Sequence, residues 1–138
     1  MILSLDTNVM VDLANGRRPD VRARYDEALA RGDQIVASAL AAHELLYGAT
    51  TSARPPVHLA RAHELLADLE VVDLTFEDAV KAIPIRQELR RRGQSIGIWD
   101  LLIAGQAANR GWTVVSANLR EFARIDGLPV EDWTGRGP

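Results

Sequence analysis

Three acidic residues lie far apart in the sequence but in similar apolar surroundings. Asp6 follows the apolar run 2–5, and Glu44 and Asp100 each interrupt an apolar helical pattern. A buried carboxylate is costly unless another group compensates its charge, and a divalent cation with oxygen ligands does so. A polar segment, Ser-Ala-Asn at 116–118, follows the last clear strand. These residue types favour metal-dependent chemistry on a phosphodiester.

Each of the three acids also has a structural interpretation. Asp6 precedes Thr7 at the start of a predicted helix, where it can serve as the N-cap. Glu44 and Asp100 lie on helices that are only weakly amphipathic, so either carboxylate can instead face solvent. The occurrence of all three acids together favours a shared metal site over three separate structural roles. Two acids on apolar helix faces and one at a strand end can converge only at one edge of a sheet.

Short apolar strands alternate with longer helical patterns along the chain, which predicts an α/β fold. We expect a mostly parallel sheet of four to five strands with helices on both faces. Sites in such sheets form beyond the carboxyl ends of the strands, where Asp6 and the segment 116–118 lie. The predicted strands are 2–5, 35–37, 71–72, 113–116 and 130–131. The predicted helices are 7–15, 20–31 capped by Asp20, 39–48 capped by Ser38, 57–69, 76–92 opened by Thr75 and Asp78, 98–110 and 119–123.

The composition predicts one globular domain over residues 1–138. With 47% hydrophobic and 25% charged residues, the chain has an ordinary balance for a soluble protein. The absence of cysteine excludes disulfides and thiolate metal sites. No segment approaches the roughly 18 apolar residues of a membrane span, and the first residues lack the basic leader of a signal peptide. We therefore expect a cytoplasmic protein without membrane contact.

The ordered set of motifs resembles that of PIN-domain ribonucleases, and specifically the VapC-type toxins of bacterial toxin–antitoxin pairs. The resemblance extends over essentially the full length. Each motif is weak singly, but their order is specific. The matching segments are Leu5-Asp6-Thr7-Asn8; Glu44-Leu45 with Gly48; Ile98 and Asp100 with Ile103-Ala104 and Ala107; Val115-Ser116-Ala117-Asn118 with Arg120-Glu121-Phe122; and Gly127-Leu128 with Glu131-Asp132-Trp133.

Carried over position by position, the resemblance implies that Asp6, Glu44 and Asp100 bind Mg²⁺, with Mn²⁺ as the alternative. It also implies that Asn8 orients Asp6 from behind the metal ligands. Trp99, immediately before Asp100, is bulkier than the family pattern predicts, so packing or substrate entry is expected to differ there.

The fourth position of the site departs from the commonest family pattern. Many relatives have an aspartate where Asn118 stands, with a serine or threonine at the position of Ser116. Asn118 would supply a neutral ligand or a hydrogen bond, directly or through water. Glu121 could then provide the missing charge.

The resemblance also implies the function and the partners. The chain would be an endoribonuclease toxin in which a metal-activated water hydrolyses RNA. It would form a homodimer and bind a VapB-like antitoxin, whose C-terminal segment can place an arginine among the carboxylates. The run Arg90, Arg91 and Arg92 could contact RNA phosphates, but it also suits a solvated helix end, where cations complement the dipole.

Two alternatives remain open from the sequence. In an aspartate-nucleophile phosphohydrolase, Asp6 would attack phosphorus with Asn8 and Lys81 as partners, but this class needs a second acid pair that the segment 116–118 lacks. In a catalytically silent binding module, the PIN fold would persist without activity, and Asn118 is the feature that favours it.

Overall fold

The structure, a computed structural model, describes residues 1–135; residues 136–138, the end of the expected 1–138 domain, lie outside the described residues. Within that range the centre of the molecule is a five-stranded sheet whose neighbouring strands all run parallel. The predicted α/β class is confirmed. The strands are β1 (Ile2–Leu5), β2 (Gln34–Ser38), β3 (Glu70–Val72), β4 (Thr113–Val115) and β5 (Val130–Glu131), in the spatial order β3-β2-β1-β4-β5.

Seven helices within residues 1–135 connect and cover these strands. Some of these helices start with the predicted capping chemistry: Thr75 and Asp78 form a reciprocal capping box, and the Ser38 hydroxyl accepts a hydrogen bond from the Leu40 amide. Among the described residues, no helix combines the length and the apolarity that crossing a bilayer requires. The helices are α1 (Thr7–Asn15), α2 (Pro19–Ala30), α3 (Ala39–Thr50), α4 (Pro55–Ala67), α5 (Phe76–Arg91), α6 (Ile98–Arg110) and α7 (Leu119–Phe122).

Strand side chains alternate between two hydrophobic clusters, one on each face of the sheet. Leu3 and Leu5 of β1 belong to the cluster that contains residues of α1, α2, α3 and α4. Val36 of β2 and Val114 of β4 belong to the other cluster, with residues of α5, α6 and α7. Both faces are therefore buried, as predicted, which explains why the strands read as short apolar runs.

Several helix boundaries differ from the prediction, among them both ends of α4, which covers Pro55–Ala67 where 57–69 was predicted. Asp20 does not cap α2, which begins at Pro19 directly after Arg18. Proline suits the first helical position because the N–H that it lacks would have no partner there. Helix α3 continues beyond the predicted stop at Gly48, since the next residue, Ala49, is buried in the core and extends the apolar face.

Helix α6, which carries Asp100, packs unusually close to α5 at a glycine. A Cβ atom on Gly105 would lie 2.7 Å from the Cβ of Ala82 and 2.9 Å from the Asp78 carbonyl oxygen. Only glycine permits this approach without displacing the backbone of α5. The contact therefore sets the distance between the two helices and helps to position Asp100.

The direction of chain progression across the sheet reverses between β1 and β4. Strands β2 and β3 extend the sheet on one side of β1, and β4 and β5 extend it on the other. The Asp6 amide donates to the Val115 carbonyl over 2.9 Å, so the ends of β1 and β4 are adjacent. In open parallel sheets, ligands bind in the crevice that forms at such a reversal.

Candidate active site

Asp6 lies at this crevice, at the junction of β1 and α1. Its Oδ1 accepts a hydrogen bond from the Thr7 amide over 2.8 Å, and its Oδ2 accepts one from the Ser116 hydroxyl over 2.7 Å. The residue is the N-cap of α1 and is buried. The structural and the chemical interpretations of Asp6 are thus compatible, because each carboxylate oxygen keeps a lone pair after these bonds form.

The segment after β4 organises the other side of the crevice. Ser116 is fully buried, and its hydroxyl also accepts a hydrogen bond from the Asn118 amide over 2.9 Å. The Asn118 side-chain amide in turn donates to Glu121 Oε2 over 3.3 Å. A continuous chain of polar contacts therefore links Asp6 to Glu121 through Ser116 and Asn118.

Two more carboxylates, on α6 and α3, complete the group. The pKa of Asp100 is raised to about 7, first by burial and next by hydrogen-bonding contact with Glu121. The negative charges of Asp6, Glu121 and Glu44 contribute to the same shift. Burial and the charge of Asp6 also raise the pKa of Glu44, whereas His43 opposes that shift. The three sequence-predicted acids and Glu121 therefore share one neighbourhood, and we call these four side chains the carboxylate cluster.

Comparison with known proteins decides the family. Residues 3–128 match the PIN domain model. The chain is 38% identical to the tRNA(fMet)-specific endonuclease VapC of Salmonella typhimurium, over 94% of this chain and 96% of the relative. It is 35% identical to Ribonuclease VapC2 of Rickettsia felis, over 96% of this chain and 98% of the relative. The chain belongs to the VapC family of PIN-domain ribonucleases.

The fold agrees with this assignment to the VapC family. The crystal structure of VapBC2 from Rickettsia felis bound to a DNA fragment from their promoter superposes with a TM-score of 0.88 at 32% sequence identity. The match covers 96% of this chain and 99% of the other. PIN nucleases are typically metal-dependent, which directs attention to the carboxylate cluster.

In this VapC-family chain, the carboxylate cluster fits a hard divalent cation by its donor chemistry. No lysine or arginine among the described residues forms an ion pair with any of the four carboxylates. Carboxylate oxygens are the ligands that Mg²⁺ and Mn²⁺ prefer. As the side chains stand, however, no three acidic or histidine groups within residues 1–135 are arranged to hold an ion.

Asn8 differs from its predicted role. Its side chain is exposed, and within the described structure it makes no hydrogen bond to Asp6. The Thr7 amide and the Ser116 hydroxyl hold that carboxylate instead. The hydroxyl bond joins residues 110 positions apart, so it was not visible in any local motif.

The three predicted RNA-contact arginines have different surroundings. Arg91 and Arg92 both pair with Glu88, at 2.5 and 3.6 Å. Arg92 also donates to the Arg124 carbonyl over 2.6 Å. For these two side chains the structure favours the solvated helix end. Arg90 forms no ion pair within the part of the chain that the structure describes.

Arg90 lines an open groove of about 620 Å³ beside the site. Arg86, one helical turn earlier on α5, lines the same groove. Ile98 and Leu101, which lie on either side of Asp100 in the sequence of α6, line the groove as well. Arg86 was not predicted from the sequence, although its four-residue spacing from Arg90 on one helix was the available signal.

Three aromatic side chains lie beside the carboxylates, and the family resemblance singled out only Trp99 among them. His43 stacks on Trp99 with ring centroids 5.5 Å apart and planes 4° apart. Tyr47 stacks on His43 at 6.4 Å and 3°. We call Tyr47, His43 and Trp99 the aromatic row. His43 directly precedes Glu44 and Trp99 directly precedes Asp100, which was the signal that could have revealed it.

Lys81, the cation that the phosphohydrolase alternative requires, lies away from Asp6. It lines a cavity with Gly111 and Trp112, which immediately precede β4. Asp6 follows the carboxyl end of β1, so the two residues lie at opposite ends of a parallel sheet. A VapC-family ribonuclease, rather than an aspartate-nucleophile enzyme, is consistent with this separation.

Proposed function

We propose that the chain is a Mg²⁺-dependent endoribonuclease, with Mn²⁺ as the alternative ion, whose metal ligands are Asp6, Glu44 and Asp100. The observation that carries the proposal is the carboxylate cluster, which gathers four acids from separate segments without a countercharge from the described residues. In this proposal residues 1–138 form one nuclease domain.

Glu121 and Asn118 together take the place of the aspartate that many relatives have. Glu121 supplies negative charge next to Asp100, and the Asn118 side-chain amide holds it by donating to Oε2. The catalytically silent alternative loses its main support, because a neutral Asn118 no longer means a missing charge.

The chain's own residues have distinct tasks in RNA hydrolysis. Ser116 keeps Asp6 in one orientation by donating to Oδ2 while its own hydroxyl is fixed by the Asn118 amide. Arg86 and Arg90 attract the RNA backbone to the groove beside Asp100. When bound, the divalent ion activates a water and offsets charge on the phosphate. Hydrolysis then requires no serine, cysteine or histidine nucleophile.

The relatives suggest the substrate and the partner. The Salmonella relative is named as specific for tRNA(fMet), so we propose initiator tRNA as the first substrate to test. The Rickettsia relative was solved as a VapBC complex on promoter DNA, so we propose a VapB-like antitoxin as partner and a toxin homodimer within the complex. Because the substrate is RNA, the cytoplasm is the proposed place of action.

The test is cleavage of tRNA(fMet) and of an unstructured RNA by purified protein with Mg²⁺ or Mn²⁺. EDTA and Asp6→Asn should each abolish cleavage. Asp26→Asn, an exposed aspartate on α2, is the matched control and should leave cleavage unchanged. Cleavage that persists both in EDTA and in the Asp6→Asn protein would contradict the proposal.

A further inference from the structure

We propose that the aromatic row is a stacking platform for unpaired RNA bases next to the scissile phosphate. This inference rests on the proposed function, because it assigns a substrate contact to the same site. It also narrows the substrate class to RNA that is single-stranded, or looped out of a helix, at the point of cleavage.

The geometry of the row is that of a partly built stack. Its three rings come from two helices, α3 and α6, yet their planes differ by only 3–4° at each step. Offset parallel rings at such separations attract one another, so the row is an ordered arrangement. A nucleobase is also a flat aromatic ring, and a base added to an end of the row would continue the same pattern.

The row is open to solvent although the chain buries its other indoles. Tyr47 is 63% exposed and Trp99 is 42% exposed, whereas Trp112 and Trp133 are 5% and 1% exposed. Leaving such apolar surface in water is unfavourable, and grouped exposed apolar surface commonly marks an interaction site. Core packing therefore does not account for the positions of these rings.

The position of the row identifies the occupant as RNA. Glu44 and Asp100, the proposed metal ligands, directly follow two of its rings, so a phosphate at the metal would place the neighbouring bases beside the row. Arg86 and Arg90 line the same groove as Ile98, which directly precedes Trp99, and their charges suit the backbone of the same strand. Stacking is available only to unpaired bases, because paired bases in an A-form helix are already stacked.

The fluorescence of Trp99 provides a direct binding assay. The probe is a 2′-O-methyl single-stranded oligonucleotide, which resists cleavage, titrated in EDTA so that no metal contributes. The base-containing strand should quench Trp99 fluorescence, and the same strand as a duplex or as an abasic chain of equal length should bind about tenfold more weakly. Trp99→Phe should remove the fluorescence change while retaining binding, which assigns the signal.

Steady-state cleavage provides a second assay. Trp99→Leu should raise KM about tenfold while kcat stays within roughly twofold, and Trp99→Phe should restore KM because a ring is present again. Phe76→Leu is the matched control: Phe76 is 79% exposed, but it lies beside Asn109 at the far end of α6. That variant should cleave like the unmodified protein.

The outcomes separate this inference from the proposed function. Metal-dependent cleavage with equal binding of base-containing and abasic strands would overturn the stacking platform alone. Base-dependent quenching without metal-dependent cleavage of any RNA would support the platform and refute the nuclease assignment. Quenching by a VapB-like antitoxin but by no RNA would overturn the platform and make the row a protein contact.

Discussion

Two aspartates on neighbouring helices, the buried Asp78 and the half-buried Asp100, have opposite surroundings. Burial alone would raise the pKa of Asp78 on α5, but hydrogen bonds from Arg110, Thr75 and Asn109 hold it well below its ordinary value. The Arg110 guanidinium lies 2.8 Å from the Asp78 carboxylate, and Asn109 donates over 2.8 Å. For Asp100 on α6, burial and the neighbouring acids Glu121, Asp6 and Glu44 all act in the other direction and raise the pKa to about 7.

The difference separates an acid that serves the fold from the acid to which we assign a role in the chemistry. Asp78 is neutralised within the chain, and its hydrogen bonds with Thr75 and Arg110 stabilise the capped start of α5 despite the burial of its charge. Asp100 lies where its charge is opposed by burial and by Asp6, Glu44 and Glu121, so its ionised form lowers stability. Perturbed acids without a partner are concentrated at functional sites, where an external cation completes them.

The largest expected effect is on cleavage. Asp100→Asn should lower kcat/KM for RNA about 10³-fold or more, which corresponds to about 4 kcal/mol of transition-state stabilisation. Asp78→Asn, the same chemical change on the neighbouring helix, should leave kcat/KM per folded molecule unchanged. The measurement is RNA cleavage with saturating Mg²⁺ at a temperature where circular dichroism shows both variants folded. Equal losses in two folded variants would remove the distinction between the two acids.

The next largest effect is on stability, and here the Asp78 variant, not the Asp100 variant, should show the loss. Asp78→Asn should lower the free energy of unfolding by about 2–3 kcal/mol, because Arg110 loses its charge partner and the capping box loses its carboxylate. Asp100→Asn should cause no loss. Urea unfolding at pH 7 in EDTA measures both. A stable Asp78→Asn protein would show that the network around Asp78 contributes little.

The pH dependence of stability should separate the same two residues. Asp100 has a folded pKa of about 7, above its ordinary value of 3.8, so the folded state retains a proton that the unfolded chain releases. Asp100 therefore contributes to the free energy of unfolding below about pH 4, and this contribution is lost as the pH rises to about 7. For Asp78 the folded pKa is lowered, so its contribution is present above pH 3.8 and is lost as pH falls further.

In EDTA, Asp100→Asn should therefore match the unmodified protein near pH 4 and exceed its stability at pH 8 by on the order of 2 kcal/mol, after allowance for solvent screening. Thermal unfolding across this pH range tests it. Added Mg²⁺ should erase the advantage, because the ion stabilises only the protein that retains the Asp100 carboxylate. If the stability difference between Asp100→Asn and the unmodified protein is the same from pH 4 to pH 8, Asp100 is ionised over that whole range.

Most of the fold was predictable because its signals are local. The alternation of apolar strands with helices, the capping pair of Thr75 and Asp78, and the acids on apolar helix faces can each be recognised within about ten residues of sequence. The approach of α5 to α6 at Gly105 was not predictable, because the partner atoms lie on another helix.

The site was predictable in its acids but not in its connections. The three acids Asp6, Glu44 and Asp100 can be recognised because burying a carboxylate among apolar residues is costly unless another group compensates its charge. The partition of roles between Asn118 and Glu121, and the stacking of Trp99 with two rings of α3, depend on side-chain positions across distant segments. Sequence alone therefore predicted which charges gather, and the structure revealed what holds them.

The smallest expected effect tests one of those connections. Ser116→Ala removes the hydroxyl that donates to Asp6 Oδ2 and accepts from the Asn118 amide, so Asp6 loses its fixed orientation. Groups that orient metal ligands typically contribute 10–100-fold, and we expect about tenfold weaker Mn²⁺ binding by calorimetry. Ser4→Ala on β1 is the matched control, because Ser4 is equally buried but donates no hydrogen bond to the described carboxylates. Equal Mn²⁺ affinity in the two variants would mean that the helix-capping bond from Thr7 suffices to orient Asp6, and that the link between β4 and β1 serves the fold.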